Sequence, residues 1–156
     1  MKAKKIPILK TYFDWLEKAK YELSKFEQSC NAYDMANCFL TLNAIPEWIE
    51  KSDDSPEELK ELAKEKIAIM RGENNFALDE NKLGELDHQL RLIRLFCNHS
   101  KHSKLKEKLK HISMSSSFPL EFPIRFTDLS VGSEFIEAHG ILKNVIEFWD
   151  SKIGHA

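Results

Sequence analysis

Leu86-Asp87-His88-Gln89-Leu90-Arg91-Leu92-Ile93-Arg94-Leu95-Phe96-Cys97-Asn98-His99-Ser100-Lys101-His102 reads as one amphipathic helix, and it sets the fold class. At about 100° per residue, Leu86, Leu90, Ile93, Phe96 and Cys97 fall on one side, which is the expected core side. Asp87, Arg91, Arg94, Asn98, Lys101 and His102 fall on the other, separated by steps of four, three, four, three and one residues. Those steps confine them to a stripe roughly 100° wide. The helix is expected to start near Glu80 and to reach His102, with an extension to Lys110 after a bend.

The same periodicity recurs on both sides of this stretch. Residues 9 to 28 carry Leu9, Tyr12, Phe13, Leu16, Ala19, Leu23 and Phe26 at helical spacing, and residues 32 to 51 carry Met35, Cys38, Phe39, Leu42, Ile45 and Ile49. Pro46 lies inside the second pattern, which predicts a kink or short break near Asn43 to Ile45. Ser55-Pro56-Glu57-Glu58 predicts a third helix, with Ser55 as N-cap, Pro56 at the first position and Glu58 closing a capping box. Gly72 should end that helix near Arg71 in a left-handed conformation. Downstream, Phe118-Pro119-Leu120-Glu121-Phe122-Pro123 cannot be helical. Ile124 to Val131 partly alternates, Gly132 offers a turn, and Phe135-Ile136 follow, so a small β-hairpin is expected there. A last helix over 138 to 153 would bury Ile141, Leu142, Val145, Ile146, Phe148 and Trp149. With no repeat, low-complexity segment or linker, the whole of 1–156 is expected to form a single domain. Its architecture should be all-α in the main: an up-and-down helical bundle of about five helices, with the hairpin before the last.

Composition supports a folded globule: 42% hydrophobic and 31% charged, with five glycines and five prolines among 156 residues. A chain of this length buries enough surface to need neither disulfide nor metal for its core. The three cysteines, Cys30, Cys38 and Cys97, sit among apolar neighbours and read as buried free thiols of a reducing compartment. Ile6-Pro7-Ile8-Leu9 is too short for a secretory h-region, and no apolar run approaches a membrane span. A cytoplasmic protein without membrane contact is the expectation. Net charge is −2, but it is unevenly placed. From Arg91 to His111 seven lysines and arginines face the single Glu107, a net +6, so the other residues together carry −8. Such asymmetry points to an anionic partner; lysines complementing a helix C-terminus are its plainer explanation.

Two arginines, an amide, a lysine and an imidazole on one helical stripe make an anion-binding set. Guanidinium and ammonium supply charge, the amide supplies hydrogen bonds, and imidazole can carry a proton near neutral pH. A merely solvated polar face is the competing explanation. Cys97, His99 and His102 could ligate a metal by type, yet their spacing matches no standard zinc pattern and Cys97 lies on the core side. No metal and no cofactor is expected.

Arg94-Leu95-Phe96-Cys97-Asn98-His99 resembles the arginine-x4-histidine motif of the HEPN superfamily, small helical-bundle proteins that include many metal-independent ribonucleases of toxin–antitoxin and phage-defence systems. The wider phrase Phe96-Cys97-Asn98-His99-Ser100-Lys101-His102 is similar to an asparagine-x-x-lysine-histidine signature of HEPN-like bacterial helical proteins. Their last helix ends in an aromatic–tryptophan pair, as Phe148-Trp149 does here. The resemblance implies an endoribonuclease in which His99 or His102 assists removal of the ribose 2′-OH proton. Arg94 would stabilise charge on the phosphate, and Asn98 would hold the phosphate or orient the histidine. Arg91, Lys101 and Lys104 would bind the RNA backbone, and the product would be a 2′,3′-cyclic phosphate. It also implies a homodimer with one composite site, and a protein partner such as an antitoxin. The alternative implied by the same resemblance is a non-catalytic HEPN-like module that docks a protein partner or nucleic acid.

Overall fold

A computed structural model describes residues 9–101, 112–114, 129–131, 134–135 and 138–154. Among them are five α-helices: α1 (Tyr12–Ser29), α2 (Ala32–Lys51), α3 (Glu57–Arg71), α4 (Leu86–Lys101) and α5 (Ala138–Ile153). The short strands Ile112–Met114, Leu129–Val131 and Glu134–Phe135 form an antiparallel ladder that pairs Ile112 with Val131 and Ser130 with Phe135. The hairpin expected across Ile124 to Ile136 falls mostly outside the described residues, as does any extension of α4 toward Lys110.

Local chemistry sets the helix ends. The Thr11 hydroxyl accepts from the Asp14 amide at 3.3 Å, and the Asp14 carboxylate accepts from the Thr11 amide at 3.0 Å. That reciprocal box starts α1 at Tyr12, three residues later than the apolar pattern alone suggests. The backbone N–H groups of Lys10 and Thr11 also hold the Asp14 carboxyl below its ordinary 3.8. At the other end Cys30 adopts the left-handed conformation (φ 51°), and its amide donates to the Phe26 carbonyl at 2.8 Å. Cys30 is therefore a half-exposed C-cap rather than a core thiol, unlike the buried Cys38 and Cys97. Asn31 caps α2 by accepting from the Asp34 amide at 2.9 Å.

Helix α4 starts at Leu86 rather than near Glu80, because Glu80–Lys82 forms a separate 3₁₀ turn capped by the Asp79 carboxylate. Two further start-and-stop expectations are corrected. Helix α2 runs unbroken from Ala32 to Lys51 with Pro46 inside it. Leu42, Ile45 and Ile49 around the proline are fully buried, and their packing offsets the missing backbone hydrogen bond. Ser55 does not cap α3. Its buried hydroxyl donates back to the carbonyls of Ile49 at 2.8 Å and Ser52 at 3.1 Å, serving the open end of α2, while Pro56 occupies the cap position of α3. Gly72 ends α3 as expected, at φ 72°.

Helix α2 touches the other four helices and supplies the middle of the core. Met35, Cys38, Phe39, Leu42, Ile45 and Ile49 meet Leu90, Ile93 and Cys97 of α4 and Ile141, Leu142, Val145 and Trp149 of α5 in one buried cluster. Phe39 and Phe96 stack with ring centres 4.5 Å apart. Each such side chain contributes about 1.5–3 kcal/mol through burial. A polar seam runs between α1 and α2: Lys18 donates to Thr41 at 2.6 Å and to Glu22 at 2.9 Å, and Thr41 donates to Glu22.

The register of contacts gives the direction of each helix. Trp15 meets Trp48 and Glu22 meets Thr41, so α1 and α2 are antiparallel. Lys20 pairs with Asp150 and Glu27 with His139, so α1 and α5 are antiparallel as well. Lys66 pairs with Asp87, and the Met70 carbonyl accepts from Arg91, so α3 and α4 run in the same sense. A strictly up-and-down order fails at this step. The connection 72–85, with its 3₁₀ turns Glu73–Asn75 and Glu80–Lys82, is long enough to carry the chain back along α3.

Candidate functional site on the fourth helix

Helix α4 is buried more widely than its sequence pattern implies. Leu90, Ile93 and Cys97 lie in the core as expected, but Leu92, Leu95, His88 and Gln89 are buried too. The first half of the helix is bolted to its surroundings by polar contacts. Lys66 donates to Asp87 at 2.8 Å, and the Asp79 amide donates to His88 Nδ1 at 3.0 Å. The His88 imidazole is therefore an acceptor at Nδ1, and it packs beside the Phe76 ring at 4.9 Å. Gln89 donates to the Leu83 carbonyl at 3.0 Å and accepts from Asn144 of α5.

Arg91 belongs to this anchored half. Its guanidinium donates to the Met70 carbonyl at 2.7 Å, satisfying the C-terminal end of α3. It also fills the space beside Gly72, where a Cβ would come within 2.9 Å of it. Gly72 is thus favoured by its positive φ, and a Cβ there would also press on the Arg91 guanidinium and, at 3.1 Å, on the Phe76 carbonyl. Cast as a substrate-binding residue by its position on the stripe, Arg91 has a structural partner here instead.

The second half differs. Arg94 and Asn98 lie one turn apart on the same face, and both are half-buried. Among the described residues neither side chain has a hydrogen-bond or ion-pair partner. A half-buried guanidinium beside a half-buried amide presents donors in a fork suited to a planar or tetrahedral anion. Leu95, the residue that follows Arg94, is buried and takes no part in this face. Cys97 is turned away as well: its thiol donates to the Phe39 carbonyl at 3.5 Å.

The helix backbone continues through His99 and Ser100 to Lys101, but the side chains of His99 and Lys101 lie outside the described residues, as do His102 and Lys104 entirely. Of the expected site, then, the structure brings together Arg94 and Asn98 and assigns Arg91 to the scaffold. Comparison with protein-family models, with curated proteins and with solved structures finds no match. No helix among the described residues is long and apolar enough to cross a membrane.

The periodicity does not single out His88 and Gln89, although with Asp87 and Arg91 they anchor this helix. The signal is in the sequence: at the same 100° per residue Gln89 falls inside the apolar side, between Phe96 and Ile93, and His88 falls on the flank between the apolar and charged stripes, where a buried polar side chain needs partners.

Proposed function

We propose that the chain is a HEPN-like helical domain that cleaves RNA without a metal, with Arg94 and Asn98 gripping the phosphate and His99 or His102 moving the 2′-OH proton. The observation that carries this reading is the Arg94–Asn98 pair, two half-buried polar side chains on one face with no protein partner among the described residues. Structural polar groups at such depth are ordinarily hydrogen-bonded within the fold, and an uncommitted guanidinium there is suited to an external anion. The net +6 of the segment Arg91 to His111 would draw a polyanion toward it, with Lys101 and Lys104 along the strand. A homodimer that sets two such faces together, a toxin or phage-defence role with a protein partner, cytoplasmic residence and a small hairpin ahead of the last helix belong to the same reading.

Purified protein should cut single-stranded RNA in the presence of EDTA and leave 2′,3′-cyclic phosphate ends. Arg94→Ala should remove that activity. Cleavage that is unchanged in this variant would sink the proposal.

A second reading is favoured by Leu95. Ribonucleases with the arginine-x4-histidine motif usually carry a polar residue directly after the arginine, and here that position is buried and apolar. A binding module that has kept the anion grip without the chemistry would bind RNA in a salt-sensitive way and cut none.

A further inference from the structure

Where the N-terminus of α1 meets the C-terminus of α2 lies a cavity of about 390 Å³. That volume is within the usual range for small-molecule sites. Its wall includes Lys10, Tyr12, Glu47, Trp48, Lys51 and Ser52. None of these belongs to the α4 face, and three kinds of chemistry meet in the cavity.

The first is an aromatic surface held in place. The Trp48 indole is half-buried and backed by Trp15, ring centres 5.3 Å apart, so its orientation is set before anything binds. Tyr12 is 3% exposed, and among the described residues its hydroxyl makes no hydrogen bond. Burial and the charge of Asp54 raise its pKa, so at neutral pH it is a donor. The second is positive charge: the exposed ammonium groups of Lys10 and Lys51 form no ion pair among the described residues. The third is the one carboxylate in the wall, Glu47, with the charges of Asp54 and Asp14 near enough to act on Tyr12 and Lys10. Glu47 is offset by Arg71 at 3.6 Å, which lowers its repulsion of an anion while leaving it able to accept a hydrogen bond. Ser52 accepts from the Asp54 amide at 3.3 Å, so its own O–H is available to donate.

A ring to stack, an anion between two lysines and an N–H for a carboxylate together describe a nucleotide. We propose that this cavity binds a nucleotide unit, its base against Trp48, its phosphate between Lys10 and Lys51, and an exocyclic amine donated to Glu47. Stacking on aromatic side chains tolerates any base, whereas a carboxylate acceptor selects for bases that carry an amine. The unit is either a free nucleotide or one residue of a single RNA strand. Arg71 beside the cavity adjoins Met70, whose carbonyl holds Arg91, so the end of α3 joins this wall to α4.

Tryptophan fluorescence of the full chain, titrated with AMP, UMP and a short oligoadenylate, tests the assignment. AMP or the oligoadenylate should quench saturably, with UMP weaker than AMP. Quenching by both at similar affinity identifies a free-nucleotide site, and quenching by the oligomer alone identifies a strand site. Replacing both Lys10 and Lys51 by Ala should weaken binding about tenfold or more without altering the circular dichroism, since both are exposed. Trp48→Leu should remove the signal. The absence of saturable quenching by AMP and by the oligomer, or affinity indifferent to the two lysines, overturns the proposal. The same titration on Arg94→Ala separates the two sites. Quenching without RNA cleavage in the wild type removes only the α4 reading, and cleavage without quenching removes only this one.

Discussion

The two halves of α4 share one sequence pattern and have different fates. From Asp87 to Arg91 every polar side chain is engaged by the fold: Asp87 by Lys66, His88 by the Asp79 amide, Gln89 by Leu83 and Asn144, Arg91 by Met70. From Arg94 to Asn98 the polar side chains on the same stripe find no such partner among the described residues. A charged stripe on a helix is thus not one thing. What separates scaffold from candidate site is whether neighbouring elements send a carbonyl, amide or counter-charge to meet it. The connection 72–85 and the end of α3 do so for the first half.

The contrast can be broken most sharply at Arg94. Its replacement by Ala should lower RNA cleavage by about 100-fold or more, the usual cost of removing a group that meets developing charge. Stability should change by less than about 1 kcal/mol, because only packing of the half-buried stem is lost and no hydrogen bond or ion pair among the described residues. Denaturant melts paired with a cleavage assay read both quantities. A large loss of stability would move Arg94 into the scaffold class.

Gln89→Leu should behave oppositely. It keeps the volume but strands the Asn144 amide and the Leu83 carbonyl, and it should cost about 1–3 kcal/mol in urea unfolding while leaving RNA contacts intact. Arg91→Met is the closer test, since Arg91 stands one turn before Arg94. Loss of the bond to Met70 should cost about 1–2 kcal/mol, with the methionine chain still covering Gly72. If it instead abolished RNA binding with no effect on the melt, the boundary between the two halves would shift N-terminally.

The smallest effect is a control remote from α4. The Asp14 carboxyl is held below its ordinary value by the Lys10 and Thr11 amides, so its folded-state pKa lies under its unfolded one. The cap therefore stabilises above the unfolded value of about 3.8 and is lost as pH falls through the folded one. Melting temperatures of wild type and Asp14→Asn should differ at neutral pH and converge in acid. Persistence of the gap at the lowest pH would mean that the asparagine disturbs more than charge.

Most of the helical frame was readable before any coordinates. Helix α5 begins at Ala138 and ends at Ile153, as its apolar spacing implies, and Gly72 stops α3 where a left-handed residue is needed. At Ser55 and Pro46 the sequence misleads for one reason: a tertiary partner overrides the local signal. Ser55 has the residue type and position of a cap, but buried carbonyls at the end of α2 compete for its hydroxyl and win. Pro46 ought to interrupt α2, yet the side chains around it are too well buried to permit a break. The parallel course of α3 and α4 was invisible because helical periodicity carries no direction. For the site, the stripe was legible but its division was not, since the partners of Asp87, Gln89 and Arg91 come from residues distant in sequence or from backbone atoms.

The placement of the three sulphur atoms has a practical consequence. Cys30, at the left-handed end of α1, is half-exposed, whereas Cys38 and Cys97 are sealed against the carbonyls of Ala19 and Phe39, and burial pushes the Cys38 thiol to about 12. An alkylating reagent meeting the native chain therefore has one accessible target. Uptake of a second and third label then clocks the parting of α1 from α2 and of α2 from α4, which turns two interior seams into separately timed events.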